Sequence, residues 1–224
     1  MKKFLSSIFC CFLALFCIFF AGCQKTISLA DYLCELRHLI YKGQSQNYNL
    51  LAYYGFKEKE YNSDGKATKP IYLLSFKLLD RQTDDCTYYI TFDYNGTSYQ
   101  EKFELSPSNH TLTCKMEING FNEQSFSAMV GTLDSKEQVT FNNIVPEGTI
   151  SYLDALSCLQ KHQPELLKNY CDQTGNFVGE IALRIVVKDG KSYWYVGLYS
   201  TDKNLKALLI DGITGQVLAI RQIF

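Results

Sequence analysis

Residues 88–105 read YYITFDYNGTSYQEKFEL, a run that alternates apolar and polar side chains on both sides of Asn95-Gly96. A two-residue type I′ turn needs positive φ at both central positions, and Asn-Gly accepts this with little strain. Setting that turn fixes the register: Tyr94 faces Thr97, Phe92 faces Tyr99, Ile90 faces Glu101, Tyr88 faces Phe103 and Cys86 faces Leu105. That face is almost wholly apolar, while Tyr89, Thr91 and Asp93 share the other with Ser98, Gln100, Lys102 and Glu104. A slip of one residue would turn the apolar set to water, so the stretch reads as a half-buried hairpin.

Working outward, further strands are expected near 47–57, 71–79, 111–118, 125–133 and 138–142. Asp189-Gly190 repeats the turn signal. It pairs Val187 with Ser192, Ile185 with Trp194, Leu183 with Val196 and Ile181 with Leu198. The opposite face of that hairpin gathers Arg184 with Tyr193, Tyr195 and Tyr199, and places Arg184 across from Tyr195 within reach of a cation–π contact. Two closing strands follow, Leu205–Asp211 and Gln216–Arg221, joined by a turn in which Asp211 and Thr214 bond the backbone.

Two S-x-x-D sequences, Ser28–Asp31 and Ser151–Asp154, have the form of helix N-caps. After the first, Leu29, Tyr32, Leu33, Leu36, Leu39 and Ile40 recur at helical spacing up to Gly43, which predicts an N-terminal helix. The second opens a helix burying Tyr152, Ala155, Leu156 and Leu159, with Pro164 ending it or opening a short continuation. Both are preceded by Thr-Ile, which duplication or shared capping chemistry would each explain.

The N-terminus has its own pattern. Lys2 and Lys3 precede an unbroken apolar run from Ile8 to Ala21, shorter than the ~20 residues a spanning helix needs. Phe20-Ala21-Gly22-Cys23 resembles the lipobox of bacterial lipoproteins. The resemblance implies a signal peptide over 1–22, alkylation of Cys23 by a diacylglycerol and cleavage before it. Acyl chains then hold the protein to the membrane on the extracytoplasmic side, in the cell envelope, at ~0.8 kcal/mol per buried methylene. The 22 basic residues lose Lys2 and Lys3 with the leader, leaving 20 against 23 acids, so nucleic acid is not an expected partner. Of nine cysteines, Cys34, Cys86, Cys114, Cys158 and Cys171 remain beyond Cys23. Pairing of Cys86 with Cys114 and of Cys158 with Cys171 stands open against five buried thiols.

The C-terminal third carries a second likeness. Ile150-Ser151 with Ala155, then Tyr193-Trp194-Tyr195-Val196, then Ile210-Asp211-Gly212-Ile213-Thr214-Gly215-Gln216-Val217 resemble the PepSY domain, whose closing strands carry I-D-x-x-T-G-x-V. The resemblance covers 148–224. It implies a helix on a four-stranded antiparallel sheet and a role in binding or restraining peptidases, with no catalytic residues to transfer. Together these readings give an α+β protein with three parts: the signal peptide 1–22, a β-rich domain 23–147 with its N-terminal helix, and a PepSY-like domain 148–224.

Chemistry is sparse. The three histidines are His38, His110 and His162, and no HExxH, GxSxG, P-loop or GxGxxG occurs. Cys158 and His162, one helical turn apart, lack a third member, so no catalytic residue, metal or cofactor is expected. The expected function is that of a lipid-anchored extracytoplasmic protein, held to the membrane through Cys23. It would bind an envelope or secreted protein or peptide through Arg184, Tyr193, Tyr195 and Tyr199. The alternative is an envelope hydrolase of peptides or cell-wall sugars with a dispersed active site.

Overall fold

The computed structural model describes residues 28–58, 69–79, 86–107, 110–200 and 205–223. The signal peptide, Cys23 and the residues linking it to Ser28 lie outside these. Among the described residues, no helix is long and apolar enough to cross a membrane. A single 3₁₀ turn, Leu29–Tyr32, leads into β1 (Leu33–Gln44), β2 (Asn49–Glu58), β3 (Pro70–Leu78), β4 (Tyr89–Tyr94), β5 (Thr97–Lys102), β6 (Glu104–Leu105), β7 (Leu112–Glu117), β8 (Ser125–Gly131) and β9 (Lys136–Asn143). Two helices follow, α1 (Tyr152–His162) and α2 (Pro164–Lys168), and then β10 (Glu180–Lys188), β11 (Lys191–Tyr199), β12 (Leu205–Asp211) and β13 (Val217–Ile223).

The expected α+β class and its N-terminal helix are overturned. The protein is built on one thirteen-stranded, mostly antiparallel sheet, and residues 33–44 are its central strand. The helical spacing of the apolar residues there has another cause. β1 carries an irregularity at Cys34 relative to β10 and another at His38 relative to β2. Each inserted residue changes which face the following residues present. Besides the inserted Cys34, buried side chains therefore fall at Leu33, Leu36, Ile40 and Tyr41, close to the spacing of a helix. Ser28 makes no side-chain cap, whereas Ser151 and Asp154 form a reciprocal capping box at 3.1 and 3.3 Å.

β1 holds the sheet together because both of its edges are paired. β2 pairs antiparallel over Glu35–Gln44; on the other edge β10 pairs in parallel over Leu33–Arg37, and β9 pairs antiparallel over Tyr41–Gln44. From β9 the sheet continues through β8 and β4 to β5; from β2 it continues through β3 and β7 to β6. Phe103, which joins β5 to β6, donates its N–H to Tyr88 O at 2.9 Å. The strands thus curl into a nearly closed barrel.

Aromatic groups fill its interior. Phe126 and Phe141 stack at 4.8 Å, and Phe76, Phe92, Phe121 and Tyr41 surround them. Each such ring contributes ~1.5–3 kcal/mol of burial. Tyr54 also satisfies its hydroxyl, donating to Ile118 O at 3.2 Å and accepting from Phe121 N at 3.1 Å.

β10–β13 do not form the separate helix-on-sheet unit that the C-terminal resemblance implies, since β10 joins them to β1. Their odd positions on β10 and even positions on β11 and β12 face α1 and α2. Ile181, Leu183, Ile185, Trp194, Val196, Leu198, Leu208 and Ile210 pack there with Leu33, Leu36, Ala155, Leu156, Leu159 and Tyr170. Trp194 donates its indole N–H to Ile150 O at 3.1 Å, which ties the approach to α1 to the sheet.

The hairpin registers follow from their turns. Asn95 and Gly96 have φ of 49° and 76°, Asp189 and Gly190 of 51° and 72°; the pairs read beside Asp189-Gly190 form, as do Tyr94–Thr97, Phe92–Tyr99 and Ile90–Glu101, but the β4–β5 ladder ends at Tyr89–Lys102 and Leu105 pairs with Leu112 on β7 instead of Cys86. In the turn 211–215, Asp211 accepts from Ile213 N, Thr214 N and Thr214 Oγ1 at 2.8–3.0 Å, so the Asp and Thr of the I-D-x-x-T-G-x-V stretch serve the turn.

Candidate functional site

Helices cover one face of β10–β13 and leave the other open. Strand pairing lines residues up across that face in two rows. One runs Gly55, Arg37, Arg184, Tyr195, Leu209, Ala219; the next runs Lys57, Glu35, Ala182, Gly197, Ala207, Arg221. The expected site residues Arg184, Tyr193, Tyr195 and Tyr199 all lie on this face and are all half-buried. Cys23 lies outside the described residues.

Arg184 behaves differently from its expectation. Instead of lying over Tyr195 it reaches the parallel neighbour, donating from Nε to Glu35 Oε1 at 3.0 Å and from Nη2 to Glu35 Oε2 at 2.5 Å. Arg37 pairs with the same carboxylate at 2.6 Å and lies 5.9 Å above the ring of Tyr53. Burial alone would raise the Glu35 carboxyl, but the Arg184 hydrogen bonds and the charges of both arginines hold it below the usual carboxylate range. Glu35 therefore stays an anion flanked by two guanidinium groups. Tyr199 lays its ring over Gly197, where a Cβ would come within 3.0 Å of it.

The small residues of the second row leave the face hollow. At the β1 end a depression of about 480 Å³ is lined by Cys34, Glu35, Lys57, Glu58, Arg184 and Tyr199. Toward β13 a second hollow of about 240 Å³ is lined by Tyr195, Ala207, Leu209, Ala219 and Arg221. The first holds both signs of charge and the second is mainly apolar. Burial, with the charges of Glu180, Glu58 and Glu35, pushes the Cys34 thiol up to about 12, and it donates to Ile181 O at 3.4 Å. Such a thiol stays protonated and is no nucleophile.

Elsewhere the chemistry stays sparse. Cys158 is half-buried with its Sγ against Gly215, and His162 is exposed on the last turn of α1. Among the described residues no cluster of three His, Cys, Asp or Glu side chains is arranged to hold a metal ion. Cys34, Cys86, Cys114, Cys158 and Cys171 are free thiols.

Sequence reasoning missed Glu35, Arg37, Lys57 and Tyr53. Glu35, Arg37 and Lys57 align with β10 only through a parallel pairing between residues nearly 150 positions apart, which no local pattern encodes, and Tyr53 joins them beneath Arg37. A charged face with tyrosines and two shallow hollows suits reversible recognition of another surface or an extended chain. No family model matches the chain, and no curated protein or solved structure matches it.

Proposed function

We propose that this chain is a lipid-anchored extracytoplasmic binding protein. It is held to the membrane through Cys23 and uses the face of β10–β13 opposite α1 and α2 to engage an envelope or secreted protein or peptide, such as a peptidase or its peptide substrate. The observation that carries this reading is the composition of that face. Tyr193, Tyr195 and Tyr199 are half-exposed on β11, a strand paired on both edges, beside an apolar hollow and an Arg–Glu–Arg cluster. Tyrosine and arginine on a rigid frame lose little entropy when a partner covers them.

A photo-crosslinking residue placed at Tyr195 in native envelopes tests the reading. A defined adduct from position 195 is expected, with none from Leu133, which is 71% exposed on the β8–β9 hairpin. Equal labelling from both positions refutes it. The anchor is tested separately by Cys23→Ser, which should release the protein from the lipid fraction.

One observation favours the hydrolase reading: Glu35 and Glu58 share the larger hollow. Glu35 is pinned as an ion by two arginines and is unsuited to donate a proton, so the binding reading ranks first. Hydrolysis of a peptide or cell-wall sugar that disappears in Glu58→Gln would reverse that order.

A further inference from the structure

We propose that the partner of the open face is an acidic, extended segment of a protein or peptide. It sets carboxylates over Arg37, Lys57 and Lys115 and one apolar side chain in the hollow beside Arg221. This inference rests on the binding reading above and names the chemistry of what is bound.

The open face does not stop at β10. Through β1 it runs on over the outer side of β2, β3 and β7, where strand pairing lines up Tyr53, Ser75 and Lys115 beside the row of Arg37 and Gly55. A shallow depression of about 50 Å³ lies over the bare backbone of Gly55, lined by Arg37, Tyr53, Lys57, Ser75 and Lys115. The three cations at its rim are exposed.

The acids of the face leave these cations uncancelled. Glu35 is held by Arg184 and Arg37, and Glu58 and Glu180 are only 4% and 1% exposed. Asp211 is engaged in its own turn. Glu117 is exposed but lies across Leu73, at the β7 end of the Gly55 row. Lys57 and Lys115 form no ion pair among the described residues. Beyond the leader the chain as a whole has more acids than bases, so this patch reverses the sign of the molecule locally. A surface of opposite charge complements it, and the pairing steers approach and sets register.

Spacing fixes the shape of the ligand. The apolar hollow lies over β12, and four strand intervals of ~4.8 Å, about 19 Å in all, separate it from β2. An extended segment rises ~3.3 Å per residue, so about six residues lie between the apolar side chain and the carboxylates. Tyr195, Leu209 and Ala219 wall the hollow around a single side chain, and Arg221 at its rim favours a further acid beside it. This demand selects a peptide over an anionic membrane, which offers charge but no side chain at a set distance.

Fluorescence anisotropy tests the inference. The probe is fluorescein-labelled Leu-Ser-Gly-Ser-Gly-Ser-Gly-Glu-Asp-Glu, titrated with the full chain in detergent at low salt. Binding is expected, and it should weaken as salt is raised. Lys57→Glu combined with Lys115→Glu should raise the dissociation constant at least ~10-fold. Lys161→Glu, exposed on α1 across the sheet, should leave it unchanged. Ala219→Trp fills the hollow and should weaken this peptide but not one with Ser in place of its Leu. Far-UV dichroism reports whether the variants keep their fold. No binding at low salt, binding indifferent to the lysine reversals, or equal effects of Ala219→Trp on the two peptides overturns the inference. So does lysine-dependent attachment to phosphatidylglycerol vesicles without peptide binding, since the patch would then face a membrane. If position 195 keeps its crosslinked adduct in the lysine variant, the binding reading stands and this inference alone falls.

Discussion

Gly55→Ala places a methyl group of β2 against the backbone of β1. An ideal Cβ at Gly55 would lie 1.8 Å from Leu36 O, 2.7 Å from Leu36 C and 2.8 Å from Arg37 Cα. These are backbone atoms of the strand opposite, beside the extra residue His38, so no side-chain rotation relieves the clash. The two strands must part by roughly 1 Å or more, at the ~1–3 kcal/mol typical of overpacking. One or two ladder hydrogen bonds are weakened as well, each worth ~0.5–1.5 kcal/mol. The alanine returns ~0.4–1 kcal/mol by stiffening the unfolded chain. The net loss is about 3 kcal/mol, which lowers Tm by about 6–12 °C in a chain of this size. Urea unfolding followed by Trp194, the single tryptophan, measures it from the far side of β1, while near-UV dichroism of the barrel aromatics measures it from the other. Both probes should shift together. Gly96→Ala is the reference: its Cβ meets open space and only its φ of 76° resists, for ~1–2 kcal/mol. If Gly55→Ala costs no more than Gly96→Ala, the close approach is not what requires glycine.

Thiol accessibility gives a second check. In the native protein a maleimide should modify the exposed Cys86 first, whereas Cys34 and Cys114, buried with their thiols pushed up, should react only after denaturation; peptide mass mapping reads the order. Stability should also depend on pH in two windows. Burial lowers the pKa of His38, so the unfolded chain takes up the proton more readily and stability falls as pH drops below about 6.5, a slope that His38→Gln should remove. The lowered Glu35 carboxyl contributes stability that is complete above about 4.5 and lost as pH falls through its folded value, a slope that Glu35→Gln should flatten. Urea midpoints across pH 3.5–7.5 test both. Asp211→Ala removes three hydrogen bonds from the 211–215 turn and should cost about 1–2 kcal/mol, with Asp211→Asn costing less because its oxygen still accepts; chemical denaturation of the two variants decides.

What could be read from the sequence was local. Asn95-Gly96 and Asp189-Gly190 set their hairpins because positive φ is a property of two residues, and the alternation beside them fixed which face was buried. The box at Ser151 and Asp154 opened its helix for the same reason. At Ser28 the same letters misled. Two inserted residues, Cys34 and His38, gave a strand the apolar spacing of a helix, and the choice fell to backbone pairing with β2, β9 and β10. The site divided along the same line. Tyr193, Tyr195 and Tyr199 were visible as one face of a hairpin. Glu35 and Arg37 were not, because only the parallel β1–β10 pairing brings them beside Arg184.

The double use of β1 bears on how the protein is made. Synthesis delivers residues 33–37 early, yet the strand that occupies their second edge begins at Glu180. Until the last fifth of the chain has begun to emerge, the middle of the molecule keeps an open flank that any extended segment can fill. Contacts so distant in sequence close slowly, which sets the pace of maturation by the arrival of β10 rather than by the barrel. A helper that shields nascent chains would find its natural target at the N-terminal half of β1.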